Sequence, residues 1–461
     1  MQYVMRLVRT FFKQAVRSVA FLPVPMILAA VLLGFLFFWL EHRTSISVNT
    51  ADTFPALAIT SQDTARTILG MFIGGLITLT VFTFSQIMIL LNQVAGSYSP
   101  RLLPKLTGDR SLQFVMGLNL ATIVLSITVL LSIRSNDDYK IPNFSILVCT
   151  VLGIVCLCLF VYFVTAITRK IQVDSIIDST AQDALDGLAA EFKLGQRSYA
   201  ERSLPPEVHG WYAIPSPISG YVGAVDHASL SRLAAKLGTR LYIGVAKGQY
   251  VPKGLPLLQS EHALAGPQVQ KVLLAVSPIR DQFDDWYLPN LKQLTEIALK
   301  AMSPGINDPG TALMVVDRQT EVLGQLMRVP MHNYCRADGG NEVWLKRHSY
   351  ADVLSTLMQE MRTYCKEDPA MVRALFQMLY HLMQLAGDSL SYRYYIDLEI
   401  RALLSDTRSS IANARDRAII ARDILAHRRS LLHTERLDEL ESEKLRRAER
   451  EISKTSFRAY S

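Results

Sequence analysis

No aspartate, glutamate, lysine or arginine lies between Thr67 and Val94. A stretch without charge holds no proton relay, so whatever this segment does it does with neutral side chains. Cysteine is sparse: five in 461 residues, with Cys149, Cys156 and Cys158 in one apolar run and Cys335 and Cys365 isolated. That is neither a disulfide framework nor a zinc-ligand spacing, and it fits a soluble part kept in a reducing compartment. No phosphate-binding GxxxxGK[ST] loop, no GxGxxG opening a helix and no HExxH occurs, and the nine histidines are scattered. An enzyme is therefore not expected, nor a cofactor. The net charge of +7 is modest and its basic residues are mixed with acids, so no nucleic-acid partner is expected.

What the chain has in abundance is apolar length. Half of it is hydrophobic (50%), and the mean hydropathy is +0.19. Four runs, Phe21–Leu40, Thr67–Leu91, Leu112–Ile133 and Phe144–Ile167, are each long enough to cross a bilayer. The first is too long for the apolar core of a signal peptide, and Trp39-Leu40-Glu41-His42 is no small-residue cleavage site. Arg6, Arg9, Lys13 and Arg17 precede the first run, Arg101, Lys105 and Arg110 follow the second, and Arg169 and Lys170 follow the fourth. The other two loops are balanced. The positive-inside rule then places both termini in the cytoplasm of a bacterial inner membrane, with the bilayer as the first partner.

The second run is the chain's organising stretch. Thr78, Ser85 and Asn92 recur every seven residues, as do Gln86 and Gln93, so each set shares one side of a helix. Asn119, Thr122 and Ser126 form a comparable stripe on the third run, expected to meet the first because the joining loop is short. Two uses compete. Such side chains commonly bond across packed membrane helices; they also line pathways. The second run leads into Ser97-Tyr98-Ser99-Pro100-Arg101, where Pro100 should end or kink the helix.

Beyond Arg169-Lys170, Ile177, Ala181, Leu185, Leu188 and Phe192 recur at helical spacing against an acidic remainder, an amphipathic helix stopping near Gly195. From Val208 to Leu258 short apolar runs alternate with glycine and proline, a β texture. Ser219-Gly220-Tyr221-Val222 and the segment Gly248 to Leu257 resemble hairpins of barrel-sandwich modules such as biotinyl and lipoyl domains, without their carrier lysine. Helical spacing returns with Leu288, Leu291, Leu294, Ala298 and Ala301. Pro304-Gly305 should end that helix, and Asp308 should cap the next, with Pro309 at its first position. The turn is expected to lie buried between helices. Asp281, Asp284 and Asp285, with Asp308, could hold a cation or a salt-bridge network; caps and solvated charges are the ordinary use of such acids, and no metal ligand is assigned.

Ser303-Pro304-Gly305-Ile306-Asn307-Asp308-Pro309 and the Ser97 to Arg101 segment carry a family resemblance. The chain resembles the domain of unknown function 2254 family of predicted bacterial membrane proteins, over roughly residues 10–400. Gly310 stands where that motif commonly has a bulkier residue. The resemblance implies a multi-span inner-membrane protein and brings no activity, cofactor or catalytic residue.

The expected fold is a multi-domain membrane protein: an α-helical four-span transmembrane bundle followed by a cytoplasmic α+β part, made of a small β barrel-sandwich-like module and a helical domain. Its segments are a basic cytoplasmic N-terminal helix (1–20), the bundle (21–168), the connecting helix (169–205), the β module (206–262), the helical domain with the turn (263–405) and a charged helical tail (406–461). The expected function is a homo-oligomeric channel or transport protein for an unidentified ion or small solute, regulated from the cytoplasm. The alternative is a non-conducting scaffold or sensor that relays a signal through its cytoplasmic domain.

Overall fold

The computed structural model describes residues 18, 20–44, 46–47, 50, 59, 61–97, 103, 107–133, 141–170, 172–195, 199–200, 204–223, 225–276, 286–330, 333–337 and 339–432. The chain forms two compact units, Met1–Ser175 and Ile176–Ser461.

In the first unit four helices match the apolar runs: α1 (Pro23–Arg43), α2 (Gln62–Ser97), α3 (Arg110–Ser132) and α4 (Asn143–Lys170). All four are long and apolar enough to cross a bilayer. Helix α3 is the hub, packing against the other three, most extensively α1. Asp109 starts it by accepting from the amides of Ser111 and Leu112. Small residues let α1 and α3 approach: a Cβ on Gly34 would fall 2.8 Å from Cβ of Thr128, and one on Gly117 would fall 3.1 Å from Cα of Pro23. Leu69, Leu125, Val129, Ile146 and Cys149 fill the space between α2, α3 and α4.

The second unit begins within α5 (Val173–Gly195). Ile177, Ala181 and Leu188 are buried as their spacing requires, whereas Phe192 is exposed. Among the described residues eight short strands follow: β1 (Tyr199–Ala200), β2 (Tyr212–Pro215), β3 (Gly220–Tyr221), β4 (Leu241–Ile243), β5 (Tyr250–Val251), β6 (Pro256–Ser260), β7 (Tyr334–Cys335) and β8 (Val343–Leu345). Six make one sheet, in the order β1-β7-β8-β4-β6-β2, and β3 pairs with β5. Among the described strands only β4 and β8 run parallel. The barrel expectation is corrected here: neither sheet closes, and the larger one recruits β7 and β8 from far downstream of residues 206–262.

Alternation along the strands gives the larger sheet two faces. Leu241, Ile243, Val343 and Leu345 point to one face, under α6 (His227–Lys236) and α7 (Gly266–Val276). Trp344 joins Val208, Trp211 and Tyr334 in an aromatic cluster on the other. The guanidinium of Arg240 lies 5.3 Å from the Trp211 ring and pairs with Glu261.

The remaining helices, α8 (Tyr287–Ala301), α9 (Pro309–Leu326), α10 (Tyr350–Cys365), α11 (Pro369–Leu385), α12 (Leu390–Ser410) and α13 (Ala414–Leu432), form a layered helical part. Leu291, Leu294, Val316, Leu323, Leu375 and Leu379 are buried in it. Gly387, with φ 53°, lies in the break between α11 and α12. The basic segment 1–17 and the tail beyond 432 lie outside the described residues.

Candidate functional site: polar faces of the membrane helices and the 303–309 turn

Helix α2 has two unlike sides. Ala65, Leu69, Leu76, Thr83, Ile87, Leu90 and Val94 are buried. Thr78, Ser85 and Asn92 are exposed, half a turn away at about 3.6 residues per turn. Gln86 is half-buried and Gln93 exposed, between those sides. Thr67, Met71, Gly74, Thr78, Val81, Ser85, Met88 and Asn92 advance by alternating steps of four and three along the exposed side, a heptad seam that the described residues leave uncovered. Two hydroxyls on it turn inward to their own backbone: Thr78 Oγ1 donates to the Gly74 carbonyl and Ser85 Oγ to the Val81 carbonyl, each at 2.9 Å.

The α3 stripe points the other way. Asn119, Thr122 and Ser126 are fully buried in the bundle. Thr122 Oγ1 donates to the Leu118 carbonyl and lies 3.5 Å from the Cys156 sulfur on α4. Among the described residues, neither end of the Asn119 carboxamide has a hydrogen-bond partner. The expectation that the α2 and α3 stripes meet is thus corrected: α2 meets α3 through its apolar side, and the stripes remain apart.

At the N-terminal end of α4, Glu41 Oε1 accepts from the Ser145 amide at 3.0 Å, so α1 supplies a carboxylate to the start of another helix. Sequence reading passed over this pair. Its signal is a lone acid at the end of an apolar run, but the partner lies more than a hundred positions away.

The turn between α8 and α9 is built as its residues dictate. Asp308 caps α9, accepting from the Thr311 amide at 3.2 Å and from the Thr311 hydroxyl at 2.5 Å. Bonds from the Thr311 side chain, then from backbone amides, hold the carboxyl below its ordinary 3.8. Ser303 Oγ donates to the Lys300 carbonyl, and Asn307 takes the left-handed conformation at φ 48°. The expectation of burial is corrected: residues Pro304, Gly305, Ile306, Asn307 and Asp308 are all exposed, with Ser303 and Pro309 half-exposed. Gly310 is exposed too; a Cβ there would stand 3.4 Å from Asp308 Oδ1, so a bulkier residue fits the same turn. Ser97 ends α2, while Tyr98, Ser99, Pro100 and Arg101 lie outside the described residues, as do Asp281, Asp284 and Asp285. Asp308→Ala is expected to lower stability by about 1 kcal/mol through loss of the cap. Because the folded pKa is depressed, that contribution is present above pH 3.8 and is lost as the pH falls through the folded value. Thermal unfolding of wild type and variant at neutral and acid pH measures both; equal stability at neutral pH would refute the capping role.

Two curated proteins are similar over 372 residues at 26% identity: the uncharacterised proteins Rv1290c of Mycobacterium tuberculosis and Mb1321c of Mycobacterium bovis. Each match covers 77% of this chain and 70% of the relative. No solved structure matches. The family model described as "Predicted membrane protein (DUF2254)" matches residues 16–381, spanning α1 to α4, both sheets and the 303–309 turn, and the chain belongs to that family.

Proposed function

We propose that the chain is a subunit of an oligomeric channel or transport protein of a bacterial inner membrane, with both termini and the second unit in the cytoplasm. The observation that supports it is the line Thr78, Ser85 and Asn92, which α2 turns away from its own bundle. Polar side chains in a membrane helix need a polar partner or water. In a ring of subunits this side would form the wall of a shared path for an ion or small solute. The reading assigns no catalytic residue and no cofactor. Its orientation rests on the basic residues at the N-terminus, after the second run and after the fourth.

One observation favours the alternative, a non-conducting scaffold or sensor. The hydroxyls of Thr78 and Ser85 are already bonded to carbonyls one turn back, which makes them tolerable at a dry helix–helix contact. Solvent access separates the two. In a chain with its five native cysteines replaced, single cysteines at Ser85, Gln86 and Asn92 are expected to react with a membrane-impermeant thiol reagent. Cysteines at Asn49 and Asn136 should react from outside intact cells, which fixes the orientation. Protection at all three α2 positions, with no ion flux from purified protein in liposomes, would overturn the channel and leave the scaffold.

A further inference from the structure

Five distant segments of the second unit converge on one cleft. Glu191 comes from the last turns of α5, Lys247 from the turn between β4 and β5, and Arg347 and His348 from the chain after β8. Trp286 stands just before α8, and Val329 and Pro330 follow α9. The cleft opens to solvent, and about 410 Å³ of space, open solvent included, lies within its lining.

Its polar groups are nearly all donors. Glu191 is the one carboxylate among the described lining residues, and it is shared: Oε2 lies 2.8 Å from Arg347 Nη1, and Oε1 lies 4.0 Å from Lys247 Nζ. The Lys247 ammonium also stands 4.6 Å from the centre of the Trp286 ring. The ring is seated against backbone, since a Cβ on Gly248, at φ 79°, would fall 3.0 Å from its edge. Trp286 is 4% exposed, and its Nε1–H has no acceptor among the described residues. An indole can only donate, so burial leaves this N–H in want of an acceptor. Burial keeps His348 below the usual imidazole range, so the positive charge comes from Lys247 and Arg347.

We propose that this cleft binds a small organic anion, its acidic group against Lys247, Arg347 and the Trp286 N–H and a compact apolar body against Val329 and Pro330. The ligand competes with Glu191 for the two cations. Glu191 belongs to α5, which only residues 171–172 separate in sequence from the fourth apolar helix, so occupancy is read out on the segment that leaves the membrane part. The site stands whether or not the protein conducts, and its test measures no flux.

The full chain in detergent, labelled with 5-fluorotryptophan, has four fluorine resonances, one per tryptophan, and Trp286→Phe assigns the one of interest. Phenyl phosphate, added at constant ionic strength, is expected to shift that resonance saturably and at lower concentration than inorganic phosphate. Lys247→Met should weaken binding about tenfold, as loss of one charge-assisted contact does. Glu191→Gln should tighten it, an effect opposite to that of a damaged fold. No saturable shift with phenyl phosphate, or an unchanged affinity in Lys247→Met, would overturn the proposal.

Discussion

Arg362→Met is expected to destabilise the second unit by about 3 kcal/mol, the low end of what removing one partner of a buried ion pair costs. Arg362 on α10 faces two carboxylates of α12. Its Nε lies 3.7 Å from Glu399 Oε2, and its Nη1 donates to Asp406 Oδ2 at 3.2 Å. The side chains of Arg362 and Glu399 are only 18% and 12% exposed, so solvent screens them poorly. Glu399 and Asp406 would then be left facing each other with no cation between them. The pH dependence supplies a second readout. Burial raises the Glu399 pKa above 4.5 even with Arg362 in place, Arg362 lowers it and Asp406 raises it. A raised folded pKa means that the carboxyl's contribution to stability is complete below pH 4.5 and is lost as the pH rises through the folded value. Without Arg362 the folded pKa rises further, so the variant's deficit should be large at neutral pH and shrink toward pH 4.5. Thermal unfolding at both pH values tests this; a deficit that does not depend on pH would show that lost packing, rather than uncompensated charge, explains it.

The four spans were legible because length and lack of charge are enough to mark a bilayer-crossing helix. The direction in which a polar stripe faces was not. Thr78, Ser85 and Asn92 do share one side of α2, as heptad spacing requires, but Leu69, Leu76, Thr83 and Leu90 obey the same spacing on the opposite side. In water the apolar side would turn inward by default; in lipid both sides are acceptable and packing decides. The caps were legible for a local reason: Asp308 and Pro309 act within three residues of each other, and both behave as their types predict. The open sheet was not, because β4 pairs in parallel with β8 about a hundred residues later, and no local pattern encodes such a partner. The same distance hid the Glu191, Lys247 and Arg347 cluster, whose members look like ordinary surface charges until the chain folds.

Gly187→Ala is expected to lower stability by about 1–3 kcal/mol, the usual cost of forcing extra atoms into a packed contact. The sign is the informative part. Inside a helix, glycine is worse than alanine by about 1 kcal/mol, so on propensity alone the exchange should stabilise α5. Gly187, however, is buried where α5 crosses the start of α8. A Cβ there would fall 2.8 Å from the Tyr287 nitrogen and 3.0 Å from both the Cα and the carbonyl carbon of Trp286. All three are backbone atoms, so no rotamer change relieves the clash, and either α5 or the start of α8 must move. Trp286 holds Lys247 over its ring and lines the cleft with Glu191, so this displacement should also weaken phenyl phosphate binding. Gly310→Ala is the control: the position is exposed, its Cβ would meet only Asp308 Oδ1 at 3.4 Å, and the exchange should be neutral or stabilising. Thermal unfolding of both variants measures the contrast. A Gly187→Ala protein as stable as Gly310→Ala would mean that α5 does not rest on the Trp286-Tyr287 backbone, and the connecting helix would lose its proposed coupling to the cleft.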